Sequence, residues 1–209
     1  MKIFQIKKIY VILLFSILFV SCLEVDTTIE IKKDNSGIWI LQYRIMQEAS
    51  YITPGSELSG YNYFPLNEAD VNKRIDSIPG LTLISINTVK TIVYNQYTIE
   101  MNFNNTGNIE SFFNNFADID LINISTGDNG SFKLVINKPV PGNIDSDTYS
   151  LMNALYRDST IKIKVILPGI VTESNKGLLE ENPAEANMEI KTLDTLQFTD
   201  PFEWIVKYE

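Results

Sequence analysis

Few side chains in this sequence are equipped for acid–base or nucleophilic chemistry. Its 209 residues include no histidine and one cysteine, Cys22. Without imidazole the chain has no Ser-His-Asp or Cys-His relay, no common zinc site and no histidine sensor titrating near neutrality. Carboxylates remain. Their closest pairs are Asp118 with Asp120, Asp145 with Asp147, and Glu180 with Glu181. Each pair falls in a loop or at a helix start, where solvation or capping accounts for a carboxylate without catalysis or calcium binding. Gly127-Asp128-Asn129-Gly130 lacks the Lys-Ser/Thr that a phosphate-binding loop requires. The residue types therefore predict no catalytic residue, no metal and no cofactor. Cys22 is left as the side chain with a specific chemistry.

The residues before Cys22 say what that chemistry is. Lys2, Lys7 and Lys8 make a positive start, Ile9–Val20 is apolar except for Ser16, and Ser21 is small. This is the layout of an export signal with its cleavage site, and it is shorter than the roughly 20 apolar residues a spanning helix needs. The segment resembles the signal of bacterial lipoproteins, whose lipobox ends in Cys. Phe19 stands where Leu is usual, with Leu18 one place further back, a looser form resembling spirochaetal lipoproteins. The resemblance implies that the Cys22 thiol carries diacylglycerol and that cleavage removes residues 1–21, leaving residues 22–209 as one envelope domain tethered to a membrane.

The 188 remaining residues suit a single domain burying roughly 70% of its unfolded surface. The whole chain has 17 basic and 26 acidic residues; the signal takes three lysines and no acids, leaving 14 against 26, a net charge of −12. Such a surface repels phosphate backbones and anionic head groups, so nucleic acid is excluded as a partner and membrane contact falls to acyl chains or apolar surface. No second cysteine is present to form an intrachain disulfide, so packing alone must hold the fold.

The elements that position any site follow from periodicity. Val25–Ile31 and Trp39–Ile45 alternate around the turn Lys33–Gly37, which reads as a hairpin. Asn67–Ile78 is helical, capped by Asn67, with Val71, Ile75 and Ile78 on one face. Leu81–Thr91 and Ile92–Asn104 form paired strands. A second helix, Asn108–Ala117, aligns Ile109, Phe112, Phe113 and Phe116 as a core stripe. Leu121–Ser125 and Ser131–Asn137 make another hairpin, Asp145–Asp158 a third helix, and Thr160–Leu167, Met188–Leu193 and Glu203–Tyr208 further strands, with Lys176–Ala186 a polar loop. Hairpins separated by helices predict an α+β fold: a mostly antiparallel sheet with about three short helices packed on one face.

One stretch escapes all periodicity. Tyr51–Pro65 crowds Tyr51, Tyr61, Tyr63 and Phe64 among two prolines and two glycines. These rings either cover an apolar ligand or fold back to plug the core. Further on, Ile163–Asn175 runs from a strand into Pro168-Gly169 and then Ser174-Asn175. With Cys22 and the strand–Gly turn–strand of Val25–Ile45, this resembles the LppM-type domain family of bacterial lipoproteins. The resemblance implies an α+β domain held at the envelope, with lipid or glycolipid binding proposed for one branch and no catalytic residues. Three functions are open: a membrane-anchored module binding an apolar or lipid-like ligand, a structural or surface lipoprotein contacting an envelope protein, and, more remotely, a carboxylate hydrolase.

Overall fold

The computed structural model describes residues 23–46, 64–65, 67–115, 120–137, 153, 157–179, 181–196 and 199–209. In chain order the elements are β1 (Leu23–Ile31), β2 (Gly37–Met46), α1 (Glu68–Asp76), β3 (Leu81–Lys90), β4 (Tyr94–Phe103), α2 (Gly107–Asn114), β5 (Ile122–Gly127), β6 (Ser131–Ile136), β7 (Thr160–Ile166), β8 (Val171–Ser174), β9 (Leu178–Leu179), β10 (Glu185–Lys191), α3 (Thr192–Leu196) and β11 (Phe202–Tyr208).

Alternation in the sequence becomes alternation in burial. β1 pairs with β2 from Leu23↔Ile45 to Ile31↔Gly37, and β2 with β4 from Gly37↔Phe103 to Met46↔Tyr94. Because side chains alternate faces, one register carries Val25, Ile29, Trp39, Leu41, Tyr43, Ile99 and Met101 to the same buried side. Glu24, Asp26, Gln42, Arg44, Thr98 and Glu100 take the other. β3 stays in phase through a bulge. Leu83 opposes Met101 and Ser85 opposes Glu100, so Ile84 is extra and Ile86 rejoins Ile99.

The strands form two sheets, ordered β3-β4-β2-β1-β7-β10-β9 and β5-β6-β11-β8. Among the described residues all pairings are antiparallel except β1 with β7, which run parallel from Val25↔Ile161 to Glu30↔Ile166. This corrects the expectation of an α+β sheet with about three short helices packed on one face. α1 and α2 have 9 and 8 residues, or about 12–14 Å of helix. Seven strands span about 29 Å. Among the described residues, helices that short cannot cover the apolar side of the larger sheet, and residues of the second sheet share its core. Ile124, Phe132, Leu134, Ile136, Trp204 and Val206 merge with the larger sheet's residues in one core.

α2 joins the layers. Its Phe112 and Phe113 rings lie 5.1 and 5.6 Å from Trp39 in the larger sheet. On the other side, Asn114 donates to the Ile122 carbonyl (2.7 Å) and accepts from the amides of Leu121 (2.8 Å) and Ile122 (3.1 Å), while the Glu110 carboxylate accepts from the Ile124 amide. The expected helix Asp145–Asp158 lies almost wholly outside the described residues. Lys176–Ala186, expected as loop, contains β9 and the start of β10, and β8 follows Pro168-Gly169.

Candidate functional site

Cys22, Tyr51, Tyr61 and Tyr63 lie outside the described residues; Phe64 is the member of the expected set whose place is described. It is half-buried, its ring 5.1 Å from Tyr43 and 5.7 Å from Phe113. Tyr43 and Tyr97 face each other across β2 and β4 and stack at 5.1 Å. The buried Tyr43 hydroxyl donates to the Pro65 carbonyl at 2.9 Å. Rings and a hydrogen bond thus fix the end of the aromatic stretch to the sheet.

Beside these rings lies a buried cation that the sequence reading passed over. α1 starts at Asn67, whose side chain accepts from the Asp70 amide (2.9 Å), and it buries Val71 and Ile75 as the spacing predicts. Arg74 shares that stripe, three residues after Val71, and is 5% exposed. Its guanidinium donates to the Phe112 carbonyl (3.3 Å) and lies 5.7 Å from the Phe112 ring. Phe112 belongs to the last turn of α2, whose carbonyls are the negative end of the helix dipole, so the charge faces a partner. An arginine within an otherwise apolar stripe was the available signal.

Burial lowers the Arg74 pKa to about 10, which leaves it charged at neutrality. Burial raises the Tyr43 pKa. Burial, and after it the nearby Glu68 and Asp70 carboxylates, raise that of Tyr97. Both phenols therefore stay neutral and Arg74 stays charged at physiological pH, so none of the three is poised for proton transfer.

Two concavities open elsewhere. One, about 120 Å³, lies on the solvent side of the larger sheet, where Arg44 bridges Glu24 at 2.8 Å and sits 4.5 Å over the Tyr94 ring, near Asp26 and Lys162. The other, about 700 Å³, lies at the opposite end of the sheet from Leu23. Lys33, Asn35, Asp128, Asn129, Tyr208 and Glu209 line it, and the Thr126 hydroxyl donates to the Asn35 side-chain oxygen at 2.8 Å across it. Backbone presses close here: a Cβ on Gly130 (φ +71°) would come within 2.1 Å of the Tyr208 carbonyl. Both linings are largely polar. Of the carboxylate pairs, only Asp120 and Glu181 are described. Among the described residues no group of three His, Cys, Asp or Glu side chains could hold a metal, and no helix is long and apolar enough to cross a membrane.

No family model matches the chain, and no curated protein matches it. Among solved structures, the chain is similar to the folded domain of LppM from Mycobacterium tuberculosis, determined by NMR. Identity is 12%, the TM-score 0.44, and the match covers 90% of this chain and 91% of that one. A likeness of this grade carries no conclusion about ligand, activity or partner.

Proposed function

We propose that this chain is an exported lipoprotein, held to a cell-envelope membrane by acyl chains on Cys22, whose two-sheet domain works by non-catalytic contact with another envelope protein. The supporting observation is the filled aromatic floor: Trp39, Tyr43, Tyr97, Phe112 and Phe113 pack against one another, and Phe64 closes over Tyr43 and Phe113. The described concavities are polar, which suits a protein surface better than an acyl chain. The apolar or lipid-like ligand remains a second reading. Phe64 is half-buried at the edge of the floor, so moving that one ring would expose Tyr43 and Phe113.

Two measurements test this. Solvent extraction of the purified protein should yield no stoichiometric lipid, the acyl chains staying bonded to Cys22; a stoichiometric free lipid in the mass spectrum puts the ligand reading first. Each buried CH₂ of an acyl chain contributes about 0.8 kcal/mol, so two or three chains hold the domain firmly. Cys22→Ser should therefore leave a full-length protein that abandons the detergent phase. Equal partitioning of wild type and variant would overturn the anchor.

A further inference from the structure

Strand register fixes which exposed apolar residues share an end with the tether. Leu23 opposes Ile45, Ile45 opposes Asn95, and Asn95 opposes Lys90. Cys22 immediately precedes that rung, and the β3–β4 turn passes the same rung through Thr91, Ile92 and Val93. β1 and β3 are three strand spacings apart, so the turn lies within about 15 Å laterally of Leu23, the residue that follows Cys22 in sequence.

The turn is built to present its apolar side chains. The Thr91 hydroxyl accepts from the amides of Val93 (3.2 Å) and Tyr94 (3.0 Å) and is within bonding distance of the Tyr94 carbonyl (3.0 Å), which also accepts from the Thr91 amide (2.9 Å). The amides of Thr91, Val93 and Tyr94 are thus bonded within the turn, while Ile92 is 92% exposed and Val93 38%. Val89 adds to the patch at 47%. Ser85–Ile99 contains no acidic residue and one lysine, Lys90, in a chain with 26 acids. Beside the turn, Arg44 lies over the Tyr94 ring, a pairing of cation and amphipathic ring suited to the headgroup layer.

We propose that the Ile92–Val93 tip dips into the outer part of the bilayer that holds the Cys22 acyl chains, standing the strands steeply on the membrane and directing the polar cleft away from it. This rests on the lipid-anchor reading. A bilayer suits this tip better than a protein because Leu23, the residue after Cys22, lies at this end of the sheet, and because an uncharged tip needs no polybasic patch, which this acidic chain lacks. Two side chains bind weakly alone; the tether raises their effective concentration at the surface.

The test uses lipidated protein carrying Ile92→Cys. The Cys22 thiol is consumed by its thioether, so an environment-sensitive nitrobenzoxadiazole label attaches only at position 92. In phosphatidylcholine vesicles its emission should shift to the blue, with quenching by shallow nitroxide lipids several-fold stronger than for the same label at Asp128→Cys. Because Ile92 is exposed, the melting temperature should not change. Water-like emission and equal quenching at the two positions would overturn the insertion while leaving the anchor standing, provided the protein still floats with the vesicles. Failure of the unlabelled wild type to float would overturn both.

Discussion

The stretch β1–β4 and the stretch β5–β11 are held together in different ways. β1 to β4 lie side by side in one sheet, joined by long ladders interrupted by the single bulge at Ile84. From there the chain changes sheet after β4, after β6, after β7, after β8 and after β10. A crossing has no ladder, so something else must hold it. The two tryptophans show the contrast. Trp39, fully buried, donates its indole N–H to the Thr27 hydroxyl of the adjacent strand at 2.7 Å, within its own sheet. Trp204, equally buried, donates to the Ser174 hydroxyl and the Lys176 carbonyl, each at 2.9 Å, where the chain leaves β8 in one sheet for β9 in the other. Gly177 follows at φ +78°, where a Cβ would meet the Asn187 carbonyl at 2.0 Å. Ladders hold the strands of both regions within each sheet, but at the crossings of the second region single side chains and close backbone contacts take over.

The contrast can be broken most directly at the tryptophans. Trp39→Ala and Trp204→Ala should each cost about 3–5 kcal/mol in thermal or denaturant unfolding. Their hydrogen-exchange patterns should differ: Trp204→Ala frees the amides of β8 and β9 first, whereas Trp39→Ala lowers protection across the larger sheet. Identical patterns would erase the distinction. A smaller effect is expected for Tyr43→Phe, which keeps the ring stack but leaves the Pro65 carbonyl without its buried donor. The expected loss is about 1–3 kcal/mol, and a melting temperature equal to wild type would show that this tie contributes nothing.

The smallest effect lies on the partly exposed side of the larger sheet. Glu185 accepts from Lys164 at 2.5 Å and from Asn182 at 2.7 Å. The Lys164 hydrogen bond holds its pKa below the ordinary glutamate value. The folded pKa is the lower one, so the stabilisation is complete above the unfolded value and fades as pH falls through the folded value. An exposed pair of this kind contributes under about 1 kcal/mol. Lys164→Met should accordingly flatten the acid limb of the stability curve below the ordinary glutamate pKa, and an unchanged limb would remove the pair from the account.

What could be read from the sequence divides along the same line. The hairpins and α1 were legible because their causes are local: alternation, a Gly turn, and Asn67 three residues before Asp70. Alternation shows that a strand has one buried face but not what buries it, so a second sheet was mistaken for a layer of helices. β10 was placed late because its core side opens on Ala186 between Glu185 and Asn187, too weak an apolar signal to mark a strand. β8 is four residues long, with no residue of it fully buried. At the candidate site, Phe64 could be named as a ring of interest, but its contacts with Tyr43 and Phe113 depend on long-range pairing. Arg74 was passed over because its partner, the carbonyl end of α2, is distant in sequence.

The parallel pairing of β1 with β7 has a consequence for assembly. Val25 finds Ile161, 136 positions later in the chain (25 to 161). In a chain that emerges N-terminus first, β1 can zip to β2 early, but its other edge stays bare until β7 arrives. Closing so long a loop is slow, and an open edge accepts any strand offered to it. The interval before β7 docks is therefore the moment of greatest risk of edge-to-edge mispairing, and the yield of native protein depends on how quickly residues 160–166 follow.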